Sequence, residues 1–249
     1  MELSLHFITD FLAIAVGVQL YLRSKVDDTV QGEDRTFILI GALIGALIGS
    51  RLIAALEDPS LFLNPPSFLY YYLNKTILGG IAGGILGVEL FKKIAGITAW
   101  TGDRTLVPLG VAIIIGRIGC FFTGVADGTV GGPCTYAWCL EQGDGILRHP
   151  NSLYEIAFVT LFLVVYFAAQ HFKPRVLHFI LETRGAFFRL FIVDYFSLRF
   201  FIEFLKETHP LLWGLNSIQI VCLLFIVWYM RDLIRIFLRA RTKKENLLV

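Results

Sequence analysis

The sequence VAIIIGRIGCFFTGVADG occupies residues 111–128 and places an arginine inside an apolar run. Arg117 stands between Gly116 and Gly119 in this run. Such a run is typical of a membrane-spanning helix, in which a charged side chain costs at least about 2.5–3.5 kcal/mol. Arg117 therefore needs a carboxylate, water or an anionic ligand as its partner.

The composition of the whole chain favours an integral membrane protein. Of its 249 residues, 56% are hydrophobic and 17% are charged, whereas a soluble domain is about 25% charged. One membrane crossing needs about 20 mostly apolar residues. The candidate spans are Leu3–Leu22, Thr36–Leu56, Thr76–Ala95, Arg104–Phe122, Asn151–Phe172, Gly185–Leu205 and Asn216–Leu238. The sequence thus predicts an all-α integral membrane protein with seven transmembrane helices, in a single transmembrane domain over residues 1–249.

The distribution of basic residues predicts the orientation of these helices. Lys and Arg concentrate in cytoplasmic loops, and the C-terminal tail carries six of them, Arg231, Arg235, Arg239, Arg241, Lys243 and Lys244. The C-terminus is therefore expected in the cytoplasm and the N-terminus outside. The two longest loops, at about 57–75 and 123–150, then lie outside. The first span lacks a basic n-region and an obvious cleavage site, so we do not expect a removable signal peptide.

Glycines recur every four residues in the second and third spans. Gly41, Gly45 and Gly49 form one seam; Gly79, Gly83 and Gly87, beside Gly80 and Gly84, form the other. Such seams let two helices approach closely. They would also let a ligand approach the backbone, and the sequence leaves both interpretations open.

Several polar side chains are expected at one depth in the outer half of the membrane. At about 1.5 Å per residue, Arg117 lies roughly 20 Å from the inner end of its span. Arg199 lies about two turns from the outer end of the sixth span, and Tyr195 and Glu203 share its helical face. Tyr154 and Glu155 open the fifth span, and Lys75 opens the third. Because arginine suits bidentate phosphate recognition, a phospholipid headgroup is the expected ligand.

Other roles are open for the same residues. Arg199 and Glu203 could form an intrahelical ion pair. Glu155 could close a capping box with Ser152, and Lys75 could anchor the helix at the interface. Asp10 and Glu89 are further intramembrane carboxylates for which the sequence names no partner.

Three motifs resemble the prolipoprotein diacylglyceryl transferase family. They are GRIGCFFTG at 116–124, RHPNSLYE at 148–155 and YFSLRFFIEF at 195–204, and ILGGIAGGILG at 77–87 is similar to a fourth family stretch. The resemblance implies transfer of a diacylglyceryl group from phosphatidylglycerol to the thiol of a lipobox cysteine in a preprotein, with release of glycerol phosphate. It also implies a multi-pass protein of the bacterial cytoplasmic (inner) membrane.

The resemblance further implies site residues. Arg117 and Arg199 correspond to essential arginines, with Glu203 and Tyr195 as further catalytic-site residues. The resemblance and the predicted depths together lead us to expect nine further residues to bind substrate: Lys75, Gly79, Gly80, Cys120, Asp127, Gly128, His149, Tyr154 and Glu155. We expect no cofactor, no metal and no nucleic-acid partner.

The chain also departs from the family pattern. Leu78 stands at the family's histidine and Cys120 at its asparagine; Val125 stands at its glutamate, with Asp127 two residues on. The candidates for the base that deprotonates the acceptor are Glu203, Asp127, Glu155 and His149. These departures leave two alternatives open: the same phospholipid donor with a different acceptor, or a non-enzymatic protein that binds or translocates lipid.

The four cysteines fall into two classes. Cys134 and Cys139 lie in the predicted outside loop, where a disulfide or two free thiols are both compatible with the compartment. Cys120 could pack as a small residue or react, and Cys222 is expected in the core.

Overall fold

The structure is a computed structural model that describes residues 2–26, 30, 32–57, 63–64, 74–174, 180–181, 183–206 and 211–245. Long helices dominate these residues: α1 (Glu2–Arg23), α2 (Gly32–Glu57), α3 (Ile77–Ala95), α4 (Gly102–Thr123), α5 (Asn151–Phe172), α6 (Ala186–Ile202) and α7 (Ser217–Glu245). Short 3-10 turns, Gly124–Asp127 and Glu203–Leu205, continue α4 and α6. Each predicted span thus falls on a helix, with ends within a few residues of the prediction except at the longer C-terminal end of α7.

Three of these helices are long and apolar enough to cross a membrane by themselves: Gly32–Glu57, Gly102–Asp127 and Asn151–Phe172. Their outer faces carry large apolar side chains, such as Leu161, which is 62% exposed. Exposed apolar faces of this extent mark contact with lipid or another apolar partner. The fold is therefore that of a mostly helical membrane protein.

The helices divide between two compact units. The first consists of Met1–Val26, Thr101–Glu207 and Val227–Val249; the second consists of Asp27–Trp100 and Thr208–Ile226. Helices α1, α4, α5 and α6 belong to the first unit, α2 and α3 to the second, and α7 contributes to both.

Polar contacts fix the relative directions of the helices in the first unit. Arg104, near the start of α4, donates from Nε to the carbonyl of Tyr21 at 3.0 Å and from Nη1 to that of Val26 at 3.2 Å. These carbonyls lie in the last turn of α1 and just beyond its end, where helix geometry leaves acceptor capacity free for a side chain. Asp103 accepts a 2.5 Å hydrogen bond from the amide of Gly185, just before α6. Hence α4 runs antiparallel to α1 and parallel to α6, in agreement with the predicted order of crossings.

In the second unit, α2 and α3 pack through their glycine seams. A Cβ atom on Gly83 would overlap the carbonyl oxygen of Gly45, and one on Gly49 would overlap that of Gly79. The packing interpretation of the seams is therefore confirmed. Thr76 begins α3 by accepting a hydrogen bond from the amide of Gly79 at 3.1 Å.

The loop between α4 and α5 is compact. Cys134 and Cys139 form a disulfide, so the free-thiol alternative is wrong. Strands β1 (Leu140–Glu141) and β2 (Leu147–Arg148) pair antiparallel beside it. Most of the other predicted outside loop, at about 57–75, lies outside the described residues, as do the C-terminal basic side chains from residue 239 onward.

Candidate functional site

Arg117 lies in the last two turns of α4 and is only 3% exposed. Its Nε atom donates to Oε2 of Glu155 at 2.9 Å. A guanidinium carries five N–H donors, so this bond uses only part of its capacity. Arg117 thus has the carboxylate partner that its position in an apolar run requires.

Glu155 is the centre of the site, with 0% of its surface exposed. Besides Arg117, it accepts a bond from Nη1 of Arg199 at 2.7 Å and from the hydroxyl of Tyr195 at 2.8 Å. The capping-box interpretation of Glu155 is wrong, because α5 already begins at Asn151 and its N-cap residue is Pro150. The carboxylate instead joins α4 and α6 to α5.

Tyr195, Arg199 and Glu203 share one face of α6, as their spacing predicted. Nη2 of Arg199 lies 2.5 Å from Oε1 of Glu203, so the expected intrahelical pair exists, but Arg199 also crosses to Glu155. Lys206 approaches Glu203 at 3.2 Å. Lys206 was not among the predicted site residues, although its spacing of three residues from Glu203 is a signal of an ion pair.

Burial makes this network costly unless every charge is paired. Arg199 is 3% exposed and Glu203 is 1% exposed. Removing one partner from such a pair costs roughly 3–5 kcal/mol, because the other charge is left buried alone. Arg199 Nε nevertheless has no hydrogen-bond acceptor among the described residues. The network therefore holds two guanidiniums rigidly while leaving donor capacity for a further anion.

A second polar cluster lies beside the first, between α1 and the end of α4. His6 places Nδ1 at 3.0 Å from Oδ2 of Asp10 and Nε2 at 2.6 Å from Oδ1 of Asp127. Cys120 links the clusters, since its sulfur lies 3.9 Å from Nε2 of His6 and 3.7 Å from Nη1 of Arg117. Asp10 is therefore paired with His6, a partner that was not predicted from the sequence.

His6, Cys120 and Asp127 could offer three donor atoms to a metal ion, since these atoms lie within 4.8 Å of one another. Two observations oppose that use. His6 and Asp127 already bond directly to each other, and the guanidinium of Arg117 lies against the Cys120 sulfur, where it would repel a cation. The arrangement favours a proton-sharing cluster over a metal centre.

Three of the remaining predicted site residues, His149, Tyr154 and Gly128, belong to the first unit. His149 Nδ1 and the Tyr154 hydroxyl contact each other at 3.2 Å. Gly128 ends the 3-10 turn after α4 with φ +68°, which a glycine adopts without strain. Lys75, Gly79 and Gly80 belong to the second unit, and their role in substrate binding stays a prediction.

The loop that carries His149 is stabilised by its own ion pair. Arg148 donates from Nε to Oδ2 of Asp144 at 2.7 Å. This hydrogen bond lowers the pKa of Asp144 below its usual value. Glu141 accepts backbone hydrogen bonds from Gly145 and Gly143, which lower its pKa as well.

Comparison with known proteins agrees with the sequence motifs. The profile of the prolipoprotein diacylglyceryl transferase family matches residues 3–234. Similar curated proteins from Bordetella parapertussis, Oleidesulfovibrio alaskensis and Azoarcus are each named phosphatidylglycerol–prolipoprotein diacylglyceryl transferase. Their identities to this chain are 29%, 32% and 31%, over 70%, 74% and 76% of it. No solved structure matches the chain significantly.

The match covers only part of each relative. It spans 66% of the Bordetella protein, 64% of the Oleidesulfovibrio protein and 73% of the Azoarcus protein. The chain therefore spans slightly less than two thirds of the length of the first two relatives.

Proposed function

The chain belongs to the prolipoprotein diacylglyceryl transferase family, and from that premise we propose that it transfers a diacylglyceryl group from phosphatidylglycerol to the thiol of a lipobox cysteine. Glycerol phosphate is the leaving group. The relatives are named for phosphatidylglycerol and prolipoproteins, which supports both the donor and the acceptor in this proposal.

One observation carries the proposal: Arg117 and Arg199, from different helices, converge on the same carboxylate of Glu155. Two guanidiniums held side by side match the oxygens of a phosphodiester, which arginine binds with its planar fork. Preorganised positive charge in a site with little water stabilises a departing phosphate more strongly than it would in water. Arg117 and Arg199 are therefore assigned to the phosphate of the donor lipid.

The other network residues position these arginines. Glu155 holds both guanidiniums at fixed distances, and the Tyr195 hydroxyl fixes the orientation of that carboxylate. Glu203 orients Arg199 from the following turn. Gly128, His149 and Tyr154 would shape the substrate path in the first unit, and the sequence further assigns Lys75, Gly79 and Gly80 to substrate binding.

The proposal includes the membrane arrangement. The chain would form a single domain that crosses the bacterial inner membrane seven times, with its N-terminus outside and its C-terminus in the cytoplasm. The antiparallel and parallel directions of α1, α4 and α6 support this alternation. The basic residues of the C-terminal tail support the orientation. The site would then lie toward the outer face, where secreted preproteins emerge.

Reconstitution tests the function directly. The purified chain is placed in liposomes that contain phosphatidylglycerol labelled in both its glycerol headgroup and its acyl chains, together with a lipobox peptide. Transfer predicts labelled acyl chains on the peptide and an equal amount of labelled glycerol phosphate. Lipid binding without release of glycerol phosphate, with any acceptor, would contradict an enzymatic function and favour lipid binding or translocation.

A second candidate keeps the donor and changes the acceptor. Leu78, which stands at the family's histidine, is 1% exposed and cannot exchange a proton. Cys120 stands at a family asparagine and adds a thiol near Arg117. Release of glycerol phosphate that depends on a small thiol or alcohol, but leaves the lipobox peptide unmodified, would favour this candidate.

A further inference from the structure

An attacking thiol must lose its proton, because the thiolate is the nucleophile. The carboxylates nearest the arginines are poorly available for this task. Glu155 is 0% exposed and receives three hydrogen bonds. Glu203 is 1% exposed and is paired with Arg199 and Lys206. Both carboxylates are enclosed by their partners and closed to an incoming substrate.

The His6 cluster differs in exposure and in geometry. The side chains of His6 and Asp10 are 19% and 23% exposed, and that of Asp127 is 8% exposed. A substrate can therefore approach this cluster more easily than the buried network. Asp127 also accepts a hydrogen bond from the hydroxyl of Thr129, which fixes its orientation at the end of α4.

The ring of His6 has a carboxylate oxygen at each nitrogen. Because an ionised carboxylate can only accept a hydrogen bond, both ring nitrogens donate and the ring carries the positive charge. Asp10, one turn further along α1, orients the ring through Nδ1. Among the residues that the structure describes, the charged groups that face His6 are Asp10 on its own helix and Asp127 after α4, with the thiol of Cys120 and then Arg117 behind it.

Cys120 places this cluster next to the arginines. Its sulfur lies between Nε2 of His6, at 3.9 Å, and Nη1 of Arg117, at 3.7 Å. A lipid whose phosphate contacts Arg117 would thus have its glyceryl carbon within reach of a nucleophile bound beside His6. The arginine that would bind the donor phosphate and the cluster that would accept the proton therefore both contact the side chain of Cys120.

We propose that Asp127 is the proton acceptor for the attacking thiol and that His6, oriented by Asp10, is its positioning residue. This inference rests on the proposed function. The thiol S–H proton passes to the Asp127 carboxylate, and the imidazolium of His6 stays beside the new thiolate, which it stabilises. The sulfur forms a bond to the glyceryl carbon while the carbon–oxygen bond breaks. The electron pair goes to the phosphate oxygen, and Asp127 then gives its proton to the departing phosphate or to water.

The experiment compares two acceptor peptides that differ in one atom. One is a lipobox peptide with its cysteine, and the other carries selenocysteine at the same position. A selenol is already ionised at neutral pH and needs no proton acceptor. Asp127→Asn is expected to slow transfer to the thiol by about 100-fold or more, but to slow transfer to the selenol by less than about tenfold.

Matched variants control for folding and for general effects. Asp194→Asn changes an exposed aspartate on α6, and His171→Gln changes an exposed histidine on α5; both should keep wild-type rates with both peptides. His6→Gln keeps Asp127 in place, so it provides a second test if Asp127→Asn folds poorly. It should show the same preference for the selenol peptide, with a smaller loss on the thiol.

The outcomes separate this inference from the proposed function. If the wild-type chain transfers lipid to neither peptide, the proposed function fails. If it transfers to both, and Asp127→Asn and His6→Gln lose equal activity on thiol and selenol or lose none, the function stands and the assignment of Asp127 and His6 is overturned.

Discussion

Arg117 on α4 and Glu155 on α5 form a buried ion pair in which Nε of the arginine lies 2.9 Å from Oε2 of the glutamate. The same carboxylate holds Arg199 at its other oxygen. One glutamate thereby fixes the spacing of two guanidiniums from two further helices. This spacing connects the stability of the fold to the proposed binding of a lipid phosphate.

Replacing Glu155 with glutamine should destabilise the protein strongly. The amide keeps the shape of the side chain but leaves two buried guanidiniums without their shared negative charge. The apparent free energy of unfolding in detergent should fall by roughly 3–5 kcal/mol. The matched control is Asp232→Asn, because Asp232 and Arg235 are 31% and 59% exposed in their pair and exposed pairs contribute about 0–1 kcal/mol. Equal effects of the two variants would contradict the central role of Glu155.

Tyr195→Phe removes one hydroxyl and leaves the ring in place. The hydroxyl donates to a carboxylate at 2.8 Å in a fully buried position, and hydrogen bonds to charged groups contribute about 1.5–3 kcal/mol. Thermal unfolding should show a loss in that range, together with slower transfer. Tyr136→Phe, at a position 58% exposed, should change unfolding by less than about 0.5 kcal/mol.

The helix pair α2–α3 depends on its glycine seams. Gly83→Ala places a methyl group against the carbonyl oxygen of Gly45, and such overpacking costs about 1–3 kcal/mol. Gly84→Ala is the control, because the nearest atoms to its added Cβ lie at 3.5 and 3.7 Å. Thermal unfolding in detergent should therefore separate these adjacent positions. A loss at Gly84 as large as that at Gly83 would contradict the seam contact.

The disulfide should protect the loop between α4 and α5. Opening a short loop of this kind costs about 2 kcal/mol in the chain-entropy model. Reduction, or the double change Cys134→Ser and Cys139→Ser, should therefore speed limited proteolysis within residues 124–150. Thiol labelling of the folded, unreduced chain should leave both cysteines unmodified. Labelling of Cys134 or Cys139 before reduction would contradict the pairing.

Much of the fold could be predicted from the sequence because membrane helices are marked by long apolar runs. The meeting of Arg117 and Arg199 at Glu155 was also predictable in part. The rise per residue of a helix gives each side chain a depth in the membrane, and the two arginines were predicted at a similar depth. Glu155 was harder to interpret, because a glutamate three residues after Ser152 has the pattern of a capping box. Only the start of α5 at Asn151 distinguishes the two roles.

The His6 cluster could be predicted only in part. His6 and Asp10 are four residues apart on one helix, and this spacing is a local signal of a pair. Their contact with Asp127 depends on how α1 packs against α4, and no local pattern encodes that packing. The disulfide likewise could not be decided from the sequence, because it depends on the geometry of the loop and the spacing of two cysteines does not determine that geometry.

Whether the two arginines bind the departing phosphate is tested by the rate of glycerol phosphate release from phosphatidylglycerol by Arg117→Lys and Arg199→Lys in liposomes. Lysine keeps the charge but loses the planar fork that binds two oxygens. Each variant should therefore release glycerol phosphate more slowly by about 100-fold or more, while Arg231→Lys, at an exposed position on α7, should keep the wild-type rate. Wild-type rates in Arg117→Lys and Arg199→Lys would contradict the claim that these arginines bind the departing phosphate.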